Sequence, residues 1–225
     1  MKRPNTRPLA AALLAALAAA ACGGTARGAP EAVPAPAVEA HDIHGATAAA
    51  PPVFNGGHPW TEADVRFMSS MIGHHAQAIQ ISLLAPTHDA SPQVQRLAAR
   101  VIGAQEDEIA TMQRWLRDRG QPVPETHAGH HAGHDGELMP GMLTAAQVAQ
   151  LDAARGEEFD RLFLTFMIQH HRGAVSMVQQ LFGSQGAGQD ETVFKFASDV
   201  NVDQATEIDR MQRMLEALLF ASPAP

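Results

Sequence analysis

Residues 64–79 read DVRFMSSMIGHHAQAI, and residues 160–175 read DRLFLTFMIQHHRGAV. Laid one over the other, Asp64, Phe67, Met71, Ile72, His74, His75 and Ala78 fall on Asp160, Phe163, Met167, Ile168, His170, His171 and Ala174, each 96 residues further on. Both stretches space their apolar residues three and four apart, which is one face of a helix. A second run repeats as well. Gln105, Glu108, Ile109, Met112 and Arg114 reappear as Gln204, Glu207, Ile208, Met211 and Arg213, now offset by 99. The longer Gly-rich turn Gly183–Gly188 accounts for the three extra residues, and a length change confined to a loop is what a duplicated hairpin shows.

Working outward, Thr61 caps a first helix over 61–84, which Pro86 ends. Ser91-Pro92 opens a second helix running to about Arg119, stopped by Gly120 and Pro122. Thr144 caps a short helix to about Arg155. A long helix follows from about Glu157 to Phe182, and a last one from about Asp190 to Phe220. Neither hairpin can bury its own apolar stripe, so the expected fold is all-α. It is a four-helix bundle of two repeated hairpins (61–120 and 157–220), joined through a linker at 121–143 and one short helix. Val and Ile never alternate with polar residues over a strand's length, which argues against sheet.

Composition narrows the class further. The chain has 225 residues, 45% of them hydrophobic, with a net charge of −8. Loss of a leader carrying Lys2, Arg3 and Arg7 takes the charge to −11, and no basic cluster remains, so nucleic acid is not an expected partner. Residues 1–22 read as an export signal: three basic residues, then an apolar run Leu9–Ala21 too short to span a bilayer. The run ends in Ala-Ala-Ala-Cys22, which resembles a lipobox. Cys22, the only cysteine, is therefore the expected lipidation site and membrane anchor. Plain Ala-x-Ala cleavage is the alternative. Residues 23–59 are rich in Ala, Pro and Gly and read as a tether, leaving 60–220 as the folded domain.

The chemistry sits on the repeated helices. Met71 precedes His74 by three residues and His75 by four, so it lies on the face between the two imidazoles, as Met167 does for His170 and His171. Adjacent His residues diverge by about 100° on a helix, so one can point inward while the other points to a groove. Glu108 and Glu207 each share a stripe of the second helix with Gln105 and Met112 or Gln204 and Met211; if that stripe faces the His helix, they serve as metal ligands or as partners that orient a His. Imidazole suits Cu, Zn, Ni and Fe, and thioether favours Cu(I), so copper is the first choice of ion, with zinc and iron as alternatives. Met at this spacing is also ordinary core filler, and a buried His is often merely hydrogen-bonded; two equivalent copies tip the balance to metal. The linker adds His127, His130, His131 and His134, with Asp135, Glu137, Met139 and Met142, a loose chelator by composition. Asp64 and Asp160 have a sufficient role in the dipoles of their helix starts. His41, His44, His58 and His88 suggest nothing specific. No Glu-x-x-His, HExxH, CxxC, P-loop or GxSxG occurs, so di-iron ferritin, zincin, P-loop and serine-hydrolase chemistry lack their motifs.

The two DVRFMSSMIGHHAQAI-type stretches, the MPGMLT run at Met139–Thr144 and GEEFDRLFL from Gly156 together resemble the bacterial family DUF305 over about residues 60–220. Its signature is a paired Met-Ile-x-His-His, often followed by Gly-Ala. The second copy matches through Gly173-Ala174, while the first carries Gln77 where that Gly is expected. The resemblance implies a ferritin-like bundle, export and, in some members, copper binding. It points to His74, His75, His170 and His171, with Met71 and Met167 beside them. The reading that follows is an exported binding protein that sequesters or delivers copper in the cell envelope. A ferritin-like metal-dependent oxidase and a helical scaffold without metal are the alternatives. The sequence leaves open whether the two His pairs meet in one site or form two.

Overall fold

The computed structural model describes residues 59–125 and 138–220. The leader, Cys22, the tether up to residue 58 and the His-rich stretch 126–137 lie outside the described residues. Five α-helices form: α1 Glu62–Ser82, α2 Pro92–Asp118, α3 Ala145–Ala153, α4 Gly156–Gly183 and α5 Glu191–Phe220. A 3₁₀ turn at Ala85–Thr87 follows α1.

The helix ends follow local chemistry. The Thr61 hydroxyl accepts from the Asp64 N–H while the Asp64 carboxylate accepts from the Thr61 N–H, a reciprocal capping box. Thr144 and Gln147 make the same arrangement for α3. Ser91 caps α2 with Pro92 in the first turn. At the other end of α2, Gly120 takes φ +65, and the Gln121 and Gly120 amides donate back to Leu116 and Arg117, closing a Schellman motif. α3 ends two residues before Arg155, because the extended backbone at Ala154 and positive φ at Gly156 turn the chain into α4.

α1 packs on α2, α4 packs on α5, and α1 meets α4. The two hairpins are buckled by their equivalent aspartates. Asp64 Oδ1 accepts the Gly188 N–H from the α4–α5 turn at 2.7 Å. Asp160 accepts the Ser91 N–H from the α1–α2 turn at 3.1 Å. Each acid thus holds the loop of the other hairpin, a duty beyond the helix dipole that the sequence suggested. Asp64→Ala is expected to cost about 1 kcal/mol for the cap, plus roughly 1–3 kcal/mol for the buried Gly188 amide left without an acceptor. A urea titration reads this loss as a lower midpoint at unchanged slope.

The core falls into two apolar clusters, one toward each end of the bundle. One gathers Ala78, Ile81, Leu97, Val101, Phe163 and Ile168 around Met167 and Met211. The other gathers Phe67, Ile72, Trp115, Ala174 and Val200 around Met71 and Met112. Every long helix crosses from one cluster to the other, and on every one the crossing is polar. α1 crosses between Ile72 and Ala78 at His74, His75 and Gln77; α4 crosses between Ile168 and Ala174 at His170 and His171. α2 crosses between Val101 and Ile109 at Gln105 and Glu108, and α5 between Val200 and Met211 at Gln204 and Glu207. The duplicated motif therefore builds one polar layer through the middle of an otherwise apolar bundle.

Candidate metal centre

All four imidazoles are fully buried. Their rings run in a row from His75 to His74, His170 and His171, with centroid separations of 6.4, 3.9 and 6.3 Å. The two His pairs thus meet in one place, and the central contact is His74 against His170 at the α1–α4 crossing.

The outer nitrogens are already committed. His170 Nε2 lies 3.0 Å from the His74 carbonyl and His74 Nε2 lies 3.0 Å from the Pro140 carbonyl. A carbonyl can only accept, so each Nε2 carries the proton and donates. His171 Nε2 is 2.7 Å from Glu207 Oε2 in a well-aligned hydrogen bond. His75 Nε2 is 2.6 Å from Glu108 Oε2, a close ion-pair distance without hydrogen-bond alignment. In His74, His170 and His171, where Nε2–H is held by a carbonyl or carboxylate, Nδ1 is the lone-pair nitrogen. The Nδ1 atoms of His75, His170 and His171 are buried and have no hydrogen-bond partner among the described residues.

Burial holds the His170 pKa well below the usual imidazole value; the charges that His74, His171 and His75 would carry add to this, and the His74 carbonyl opposes it. Neutral His170 is the form that donates a lone pair. The same shift makes the metal-free protein acid-labile. The unfolded chain takes up a proton on this residue near pH 6.5 and the folded chain does not, so stability is full above that pH and falls as the pH drops below it. Thermal melts of metal-free protein between pH 8 and 5 are expected to show a midpoint constant at the alkaline end and declining below about 6.5.

Pro140 reaches His74 because residues 139–144 form a strap across the α1–α4 crossing. The strap opens with a type II turn: Pro140 in the second position, Gly141 at φ +76 in the third, and the Met142 amide donating back to Met139 at 3.1 Å. Met139 packs on one apolar cluster and Leu143 on the other, so the strap spans the polar layer. It is gripped from both helices. The Gln77 amide group bonds the Leu143 N–H and C=O at 2.7 and 3.0 Å. On α4 the strap lies directly on Gly173, where an added Cβ would stand 1.9 Å from the Pro140 oxygen. Positions 77 and 173 correspond in the two repeats, yet one must grip the strap and the other must make room for it. That is why the first copy carries Gln where the signature has Gly.

The remaining candidates fall as follows. Glu108 and Glu207 lie at the edge of the layer, their side chains 20% and 26% exposed, each against the His of its own hairpin. Met71 and Met167 are fully buried in different apolar clusters, one on each side of the layer. His127, His130, His131, His134, Asp135 and Glu137 lie outside the described residues. His88 is buried against Phe159 and bonded to Asp152 and Thr87, a structural role. Among the described residues, no three imidazole or carboxylate groups stand close enough to share an ion as placed. The strap carbonyl, Gln77 and the gap at Gly173 escaped the sequence reading, because their contacts cross more than 30 residues and follow no helical period.

A family model described as a domain of unknown function, DUF305, matches residues 64–215. Among solved structures, a DUF305 fragment from Deinococcus radiodurans is 30% identical with a TM-score of 0.59, covering 74% of this chain and 99% of that one. A DUF305 protein from Streptomyces coelicolor, described as secreted, is 25% identical with a TM-score of 0.60, covering 72% and 98%. CopM in its Cu(II)-bound form is 27% identical with a TM-score of 0.55, covering 68% and 95%; CopM has also been solved with Cu(I) and with Ag. No curated protein matches the chain.

Proposed function

The chain belongs to the DUF305 family, and on that premise we propose that it is a copper-binding protein of the cell envelope that holds or passes on the ion at its central imidazole layer. One observation carries this reading. Four imidazoles are buried together, with Nε2 of His74, His170 and His171 held in hydrogen bonds and Nδ1 of His75, His170 and His171 left as buried nitrogens without a hydrogen-bond partner among the described residues. A buried polar atom without a partner costs roughly 1–3 kcal/mol, so a layer of them is expensive unless a ligand completes it. Metal-bound His residues are oriented in this manner, the second nitrogen donating to a carboxylate or carbonyl. Met71 and Met167 flank the layer and supply thioether to a soft ion. The likeness to CopM, solved with copper and silver, supports the choice of metal. Zinc and iron are the competing ions at imidazole and carboxylate.

Export and anchoring rest on the leader and Cys22. No helix among the described residues is long and apolar enough to cross a membrane. We read the protein as tethered through lipidated Cys22 and residues 23–59. The His-rich linker would act as an outer, weaker collector.

The test is equilibrium dialysis against Cu²⁺ and, under reductant, Cu⁺. The wild-type chain is compared with a variant in which His74, His75, His170 and His171 are all Ala. The expected result is loss of the tightest-bound copper, with the weak linker component retained. Equal stoichiometry and affinity in the two proteins would refute the proposal.

A further inference from the structure

The two sides of the polar layer differ. At the α1–α4 crossing the strap covers it and Pro140 caps His74. On the far side α2 and α5 are not among the closely packed helix pairs, and carboxylates stand at the edge of the layer. Glu108 comes from α2 and Asp203 and Glu207 from α5; Asp199, one turn before Asp203, is exposed and ion-paired with Lys195. Asp203 and Glu207 are one turn apart. The carboxylates of the two helices face each other closely enough to be felt. Partial burial first, then the charges of Glu108, Asp199 and Glu207, hold the Asp203 carboxyl above its ordinary pKa, against the pull of Lys195.

A row of acids on a helix is commonly just a solvated face. Here a second observation lies beneath it. Gln105 and Gln204 sit one turn before Glu108 and Glu207, and helical side chains lean toward the N-terminus, so each Glu lies back over its Gln. Both Gln residues are buried, at 2% and 4% exposure. Neither amide atom of Gln105 has a hydrogen-bond partner among the described residues, nor does the Gln204 oxygen. Leu at these positions would complete an apolar core. Two equivalent carboxamide oxygens, buried without hydrogen-bond partners among the described residues beneath a carboxylate rim, make a graded set of oxygen donors running from solvent toward the His layer.

We propose that the α2–α5 seam is the port through which hydrated divalent cations reach the imidazole layer, captured first by Asp203, Glu108 and Glu207 and then handed inward past the carboxamides of Gln105 and Gln204. The proposal rests on the metal-binding reading above. Its chemistry is that of a hard oxygen vestibule in front of a softer nitrogen site: oxygen donors accept the aquo ion, and imidazole then replaces its water. A cleft lined by one sign of charge also focuses counter-ions and raises their association rate.

The experiment is stopped-flow mixing of Cu²⁺ with the full-length metal-free chain, followed by quenching of the buried Trp60 and Trp115, at low and high salt. Asp199 and Asp203 touch none of the four His residues in any described hydrogen bond or ion pair, so the D199N/D203N variant leaves the ligands in place. It is expected to load about tenfold more slowly at low salt, with a flattened salt dependence and unaltered stoichiometry. Q105L/Q204L is expected to load more slowly too, while the metal-free protein melts at a higher temperature. Arg172→Gln, on α4 beside the strap, is expected to load at the wild-type rate. Wild-type rate and salt dependence in D199N/D203N would overturn the port, as would faster loading in Arg172→Gln, which would place the route on the strap side. If the four-His variant quenches like wild type, the metal-binding reading itself falls; if only the acidic variant is unchanged, the port alone falls.

Discussion

His170→Ala is expected to weaken copper binding by a factor of 100 or more, the largest loss from any single substitution. The residue stands at the middle of the row, 3.9 Å from the His74 ring centroid, and donates to the His74 carbonyl. Burial keeps it neutral, so it offers its lone pair without first losing a proton. Loss of a group that merely orients a ligand costs roughly 10–100-fold in metal affinity, and loss of the ligand itself costs more. The effect is readable in thermal melts. Copper at 100 times the wild-type Kd adds about 2.7 kcal/mol to stability, which for a domain of this size raises the midpoint by roughly 5–10 °C. The same copper concentration only equals the weakened Kd of the variant, and the gain shrinks to about 0.4 kcal/mol. A variant that retains the wild-type copper shift would remove His170 from the site.

Gly173→Ala is expected to be the most damaging substitution outside the imidazoles. Its Cβ would lie 1.9 Å from the Pro140 oxygen and 2.6 Å from the Gly141 Cα. These are backbone atoms, and they cannot turn aside as the end of a long side chain can. The strap must lift, which takes the carbonyl from His74 and pulls Met139 and Leu143 off the two apolar clusters. Overpacking of a tight contact costs about 1–3 kcal/mol, and loss of the Pro140 acceptor from the buried His74 N–H adds roughly another 1–3 kcal/mol. The midpoint of the metal-free protein should fall by roughly 5–20 °C. Gln77→Ala is the companion measurement. It releases the strap from α1 without a clash, so it should show the smaller loss. Equal stability of Gly173→Ala and wild type would mean that the strap does not rest on α4.

The helices were legible because each carries its own punctuation. Thr61 with Asp64, Ser91-Pro92, Thr144 and Gly120 are local signals, and local signals survive in a sequence. The four-His set was legible because duplication printed it twice. Three matters needed the fold. Whether the pairs converge depends on how α1 crosses α4, a relation between residues 96 apart that no helical period encodes. The roles of Asp64 and Asp160 looked like helix-dipole chemistry, because Gly188 and Ser91, which they also hold, belong to the opposite hairpin. Gln77 looked like a departure from the family signature, and the structure gives its reason: the two halves are alike in helices but share a single strap, and one strap cannot contact both alike. That single strap breaks the symmetry of a duplicated bundle. It covers one side of the imidazole layer, while carboxylates stand at the edge of the other.

The central claim is that copper binds inside the bundle, through Nδ1 of the buried imidazoles. The most direct measurement is an anomalous difference map at the copper edge, from crystals of the full-length protein grown with copper. The expected result is a peak in the middle of the bundle, between the two Met-containing clusters and within bonding distance of Nδ1 of His170 and of at least one of its neighbours, with Nε2 of His171 still on Glu207. A map with density only at surface or linker histidines, and none in the imidazole layer, would contradict the account.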